Sequence, residues 1–300
     1  MLFRSFGADS AAVKEGRVVT VQAIGGTGGL KIGADFLHLV SPNATVWISD
    51  PSWENHRALF TQAGFTVETY AYYDATKRGV NFDGMLASLQ AAPAGTVVLL
   101  HACCHNPTGY DITPAQWDQV ISIIQARGLT PFLDMAYQGF GEGIAEDGAV
   151  VGKFVASGLT FLVSTSFSKS FSLYGERVGA LSVLCTSKEE ADRVLSQMKI
   201  MVRTNYSNPP IHGGAVVAAV LNNPELRALW AQSHVGNADA LNAVQGNAVG
   251  GNASVGSDQF GGYLEASYDV LSAFGNPKGH ALTPFVRWER YDTQAGVPHA

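Results

Sequence analysis

Lys169 stands inside Ser166-Phe-Ser-Lys169-Ser-Phe-Ser-Leu-Tyr-Gly-Glu-Arg177, directly after the apolar run Phe161-Leu-Val163. A lysine held among hydroxyls at the end of a buried strand, with an arginine further along, has the surroundings of an amine that forms an imine beside a bound phosphate. The cofactor this chemistry implies is pyridoxal 5'-phosphate. Asp134 closes the run Pro131-Phe-Leu-Asp134 and is followed by Met-Ala-Tyr137. A carboxylate beside a pyridine nitrogen keeps that ring protonated and electron-withdrawing, and a phenol near the ring hydroxyl tunes its basicity. Asn106, in His105-Asn106-Pro107-Thr108-Gly109, carries an amide that can serve the same hydroxyl, and Trp53 follows a strand end where an indole face can stack on a flat ring. Gly25-Gly26-Thr27-Gly28-Gly29 precedes the helix-like stretch Leu30 to Leu39, so its amides can cradle a phosphate at a helix N-terminus.

Each of these residues also has a purely structural reading. An aspartate at a strand end can cap a helix, Asn-Pro-x-Gly is first of all a turn, and a tryptophan is more often core. The glycine stretch lacks both the Walker lysine and the G-x-G-x-x-G spacing. His56 and His101 can tune a nearby charge or simply be hydrogen-bonded structural residues. His101, Cys103, Cys104 and His105 are crowded, yet no second ligand pair follows at zinc-finger spacing, so no metal is expected. Ser166-Phe-Ser-Lys169 formally matches the S-x-x-K of penicillin-recognising hydrolases, but their Ser-Asp-Asn and Lys-Thr-Gly companions are absent from the chain.

The elements that must position these groups alternate through residue 230. Val46-Trp-Ile-Ser49, Thr96 to Leu100, Pro131 to Asp134 and Thr160 to Ser164 are short apolar runs, while Asn55 to Ala63, Pro114 to Arg127 and Lys188 to Val202 carry helical spacing. Buried runs between helices predict a parallel sheet, and ligands gather outside the carboxyl ends of such strands. Asp50, His101, Asp134 and Ser164 all close these runs.

Bulk properties restrict the partners. The chain has 300 residues, 46% of them hydrophobic, enough for a large core and about two domains. A net charge of -6 offers no basic field to nucleic acid, and no apolar run is long enough for a membrane-spanning helix. Three cysteines imply no disulfide framework, and the first residues lack a signal segment, so a cytoplasmic location is expected.

Four long motifs carry a resemblance. Cys103-Cys-His-Asn-Pro-Thr-Gly109, Asp134-Met-Ala-Tyr-Gln-Gly-Phe140, Ser166 to Gly179 and Asn205-Tyr-Ser-Asn-Pro-Pro210, in this order along the chain, look like the aspartate and aromatic amino acid aminotransferases of fold type I. Leu173-Tyr-Gly-Glu-Arg177, with Val13-Lys-Glu-Gly-Arg17, leans toward the aromatic branch. The resemblance implies an α/β fold: a three-layer large domain with a mostly parallel sheet, the small domain largely missing. It implies a homodimer that exchanges amino groups between an aromatic or acidic L-amino acid and a 2-oxo acid. By the resemblance, Lys169 binds the cofactor covalently and shuttles a proton, Asp134 partners the pyridinium, Tyr137 and Asn106 serve the ring hydroxyl, and Trp53 stacks. His101 and His56 support them. Gly26, Thr27, Ser166 and Arg177 look like the phosphate cup, with Gly25 where many relatives have serine. Trp53, Asn106 and Arg203 look like substrate-binding positions, Arg203 reaching into the neighbouring subunit.

The resemblance runs from about Val13 to Gln232, which implies that residues 1–232 form an aminotransferase large domain that begins late relative to the family. Residues 233–262, rich in Gly, Asn and Ala, predict a flexible linker. Residues 263–300 predict a hairpin: Leu264 to Val270 and Leu282 to Trp288 alternate around the turn-like Gly275-Asn-Pro-Lys-Gly279 and are similar to outer-membrane barrel strands, although two strands cannot close a barrel and no membrane role is expected. Two other functions fit the same residues: a pyridoxal-phosphate lyase or decarboxylase, and a non-catalytic fragment.

Overall fold

The computed structural model describes residues 6–7 and 10–232, together with the backbone of residues 260–267 and 285–292. The chain forms two units, Met1–Val249 and Gly250–Ala300. The first opens with α1 (Ala11–Lys14), β1 (Val18–Ile24), α2 (Gly25–Val40), β2 (Thr45–Asp50), α3 (Glu54–Gln62) and β3 (Thr66–Ala71). A short hairpin of β4 (Tyr73–Asp74) and β5 (Gly79–Val80) leads to α4 (Phe82–Ala91), β6 (Val97–His101), α5 (Pro114–Arg127), β7 (Thr130–Met135), α6 (Ile144–Ser157) and β8 (Phe161–Ser166). The unit continues through β9 (Val178–Leu184), α7 (Lys188–Asn205), α8 (Ile211–Asn222) and α9 (Pro224–Gln232).

Seven strands form one sheet in the order β1-β9-β8-β7-β6-β2-β3. The pairings from β8 through β3 are parallel, and β9 is inserted antiparallel to both β8 and β1. The sheet is therefore mostly parallel, as expected, with an antiparallel margin that the apolar runs did not announce. Adjacent residues feed opposite cores: Leu99, Phe132 and Leu162 join the cluster under α2, α3 and α7, whereas Leu100, Leu133 and Val163 join the cluster under α4, α5 and α6. Burial on both faces explains why these strands read as continuous apolar runs, and the result is a three-layer α/β/α arrangement.

Local signals set the helix ends. Thr113 and Gln116 form a reciprocal capping box around Pro114, and Gly128, at φ 63, closes α5 in the left-handed region. Ser187 accepts from Glu190 N at the start of α7. The helix expected from Leu30 begins at Gly25 instead, so the glycines lie within its first turns. Glycine costs a helix about 1 kcal/mol per residue relative to alanine, and here packing outweighs that: Gly25, Gly26, Gly28 and Gly29 are buried and Ser164 Oγ donates to Gly26 O at 2.9 Å.

In the second unit, β10 (Phe260–Ser267) pairs antiparallel with β11 (Phe285–Asp292). The first strand starts before the expected alternation, and the second runs past it to Asp292. The expected linker lies outside the described residues apart from its last three, which belong to β10, and the turn-like Gly275 to Gly279 also lies outside them.

Candidate active site

A cleft of about 220 Å³ lies where β6, β7 and β8 end and α2 begins. All nine residues expected to hold a cofactor line it: Gly26, Thr27 and Trp53 from the α2 and α3 starts; Asn106; Asp134 and Tyr137 from the β7 end; Ser166, Lys169 and Arg177 after β8. Parallel register explains the convergence, because His101, Asp134 and Ser164 pair directly across β6, β7 and β8.

At one end Asp134 is buried and is no helix cap. Its Oδ2 lies 2.8 Å from His56 Nε2, His56 Nδ1 lies 2.9 Å from Ser52 Oγ, and Ser52 Oγ lies 3.4 Å from His101 Nε2. Asn106 N donates to His101 Nδ1 at 3.2 Å. This last bond assigns the tautomers, since a backbone N–H needs a bare ring nitrogen. His101 therefore carries its proton on Nε2 and donates to Ser52, Ser52 donates to His56, and His56 Nε2–H donates to Asp134. Burial, with the neighbouring His56, pushes the His101 pKa down to about 3 and keeps it neutral. Burial alone would raise Asp134, but the His56 hydrogen bond, aided by the nearby Lys169 ammonium, holds its carboxyl below the usual range and ionised. His105 is a structural latch, with Nδ1 2.8 Å from Thr108 Oγ1 and Nε2 2.9 Å from Ser49 Oγ.

In the middle, the Lys169 Nζ lies 4.8 Å from the Tyr137 ring centroid and 5.7 Å from that of Tyr174. Burial lowers the lysine's pKa, Asp134 opposes the shift and Arg177 adds to it. Burial likewise pushes the Tyr137 phenol up to about 12, with Tyr174 and Asp134 adding and a hydrogen bond with Asn106 opposing. Trp53 packs edge-on against His56, with ring centroids 5.1 Å apart.

The other end is rich in donors. The first turn of α2 has no side-chain cap and no acidic residue, so its amides and the positive end of the helix dipole remain available. Arg177 donates from Nη1 to Tyr174 O at 2.9 Å and from Nη2 to Ile24 O at 3.4 Å, which fixes the fork beside that turn. Gly25 takes φ 76, and a Cβ there would sit 2.5 Å from Arg177 Nη2, so this position is shaped around the arginine.

Some expected residues lie elsewhere. Arg203, in the last turn of α7, is exposed, bonds Ser207 Oγ and lines a separate groove with Thr20, Gln22 and Pro209. Asp50 is exposed, and Ser164 is spent beneath α2. Sequence reasoning gave no role to Ser52, the link between the two histidines, or to Tyr174, which lines the cleft, and weighed Cys103, which also lines it, only as a metal ligand. Cys103, Cys104 and Asp147 also converge, a grouping invisible in the sequence because Asp147 comes from α6.

Comparison with known proteins decides the family. The model of the family "Aminotransferase class I and II" matches residues 2–243. The chain belongs to this family. An aspartate aminotransferase of Pseudomonas aeruginosa is 63% identical over 227 residues, 76% of this chain and 57% of its own length. The aromatic-amino-acid aminotransferase of Escherichia coli is 57% identical over 225 residues, 75% of this chain and 57% of its own. Among solved structures, an aromatic-amino-acid aminotransferase from Burkholderia pseudomallei covalently bound to pyridoxal phosphate matches at a TM-score of 0.75 and 63% identity, over 80% of this chain and 59% of that one. The aminotransferase fold of the first unit thus agrees with the resemblance carried by the motifs, while the chain spans a little over half the length of the relatives it matches.

Proposed function

We propose that the chain carries the cofactor-binding and proton-transfer machinery of a pyridoxal-phosphate-dependent aminotransferase, which moves an amino group between an aromatic or acidic L-amino acid and a 2-oxo acid. The observation that carries this reading is the shared cleft: Lys169 lies between an uncapped helix N-terminus flanked by Arg177 and a buried, ionised Asp134. These residues fit the cofactor by charge, with cationic and amide groups at one end and a carboxylate at the other. The Burkholderia relative's covalently bound pyridoxal phosphate supports the same choice.

When bound, pyridoxal phosphate supplies an electron sink that stabilises negative charge at the substrate's α carbon. The residues of this chain do the rest. Lys169 would hold the cofactor through Nζ, and its lowered pKa makes the bare amine accessible as a base that could carry a proton on that nitrogen. Asp134 would keep a proton on the pyridine nitrogen, Asn106 and Tyr137 would serve the ring hydroxyl, and Trp53 would stack on the ring. Gly26, Thr27, Ser166 and Arg177 bind the phosphate, the arginine by its fork.

Arg203 serves substrate in a homodimer, a reading supported by its exposure outside its own chain's cleft. A cytoplasmic site of action suits a chain in which, among the described residues, no helix is long and apolar enough to cross a membrane. Product analysis with an L-amino acid and an added 2-oxo acid tests the reaction type. Amino-group exchange that requires the 2-oxo acid is expected; release of carbon dioxide or breakdown without it indicates a decarboxylase or lyase and overturns the proposal.

A further inference from the structure

Cys103, Cys104 and Asp147 bring three metal-ligating atoms within 4.8 Å of one another, on buried side chains and without a disulfide. Asp147 is anchored rather than used up. Its Oδ2 accepts from Gly139 N at 2.8 Å and Gly141 N at 2.9 Å, and its Oδ1 accepts from Glu142 N at 2.9 Å. An ionised carboxylate offers about four lone-pair positions, so one remains on Oδ1. Cys103 also lines the cofactor cleft, which gives an ion a route in from solvent.

We propose that Cys103, Cys104 and Asp147 form a site for a soft divalent cation of the zinc–cadmium class, bound by two sulfurs and one carboxylate oxygen. Thiolate donors select such ions over magnesium and calcium, which prefer all-oxygen sites. A tetrahedral ion with metal–sulfur bonds of about 2.3 Å holds its ligands up to about 3.8 Å apart, so the three donors need to close by about 1 Å or less. Capture forms two metal–sulfur bonds and one metal–oxygen bond and releases the thiol protons to solvent, with no change of oxidation state. The site is coupled to the cleft, because Cys104 Sγ donates to Tyr137 O at 3.8 Å and the Cys104 and His105 amides donate to Asp111. Drawing the two sulfurs together therefore pulls on the strap that carries Asn106.

Cadmium titration of the folded full chain tests the site through the ultraviolet sulfur-to-cadmium charge-transfer band, with stoichiometry from equilibrium dialysis. The expected result is one tightly held equivalent. Cys103→Ser and Cys104→Ser should each lose about half of the band and at least tenfold in affinity, while Cys185→Ser changes neither. Should the serine variants fail to fold, the cadmium-113 resonance of the unaltered chain still decides, with a two-sulfur chemical shift expected. A folded chain without the band, a band that follows Cys185, or an all-oxygen resonance overturns the proposal.

Discussion

His56 Nε2 donates to Asp134 Oδ2 across 2.8 Å, and the direction of that bond is set by the Asn106 amide at the far end of a chain through His101 and Ser52. One backbone N–H thus determines which nitrogen of each imidazole is protonated and keeps a donor aimed at a buried carboxylate.

The neutrality of His101 has a pH signature. Its folded pKa of about 3 lies below the unfolded value of about 6.5. The neutral form therefore contributes stability fully present above about pH 6.5 and lost as pH falls toward the folded pKa. Urea midpoints at pH 7 and pH 5 should show a loss in the unaltered chain that is smaller in His101→Gln, by up to about 2 kcal/mol. His105, also depressed mainly by burial, leaves part of the slope in the variant. Equal losses in both proteins contradict the account.

Arg177→Lys is not a conservative change here. The guanidinium bonds two carbonyls, Tyr174 O and Ile24 O, and an ammonium on a flexible stem cannot hold that fork beside the α2 amides. Cofactor affinity should fall about tenfold or more, which corresponds to about 1.4 kcal/mol, as measured by fluorescence titration of the cofactor-free protein. Unchanged affinity removes Arg177 from the phosphate end.

Gly179→Ala tests the approach of β9 to the start of α2. An added Cβ would lie 2.3 Å from Gly25 C and 2.4 Å from Gly25 O, which are backbone atoms that cannot rotate away. Overpacking of this kind costs about 1–3 kcal/mol, and it displaces the anion cradle. Denaturant unfolding and cofactor affinity should both weaken; a variant as stable as the unaltered chain shows that the two segments have more room than the geometry gives them.

What was legible in the sequence follows from burial. Residues such as Phe132 and Leu133 face opposite cores, so their strands appear as unbroken apolar runs, and the polar residue ending each run marks the functional edge. Asp134 could be read for that reason, and Lys169 and Arg177 from the hydroxyl-rich segment that follows the β8 run. The start of α2 could not, because glycine's poor helix propensity is overridden by contacts with β8 that only the fold creates. Nor could β9, whose residues are all buried but whose antiparallel direction depends on the chain reversing through the Lys169 loop. The histidine relay was hidden by Ser52, an unremarkable loop residue whose value lies in touching both His56 and His101.

The central claim is that the cofactor attaches to Lys169 Nζ. Borohydride reduction of the folded chain with pyridoxal phosphate, followed by peptide mapping, should place the adduct on Lys169, and Lys169→Ala should bind the cofactor without a trapped adduct. An adduct on another lysine, or none on a folded sample, contradicts the account.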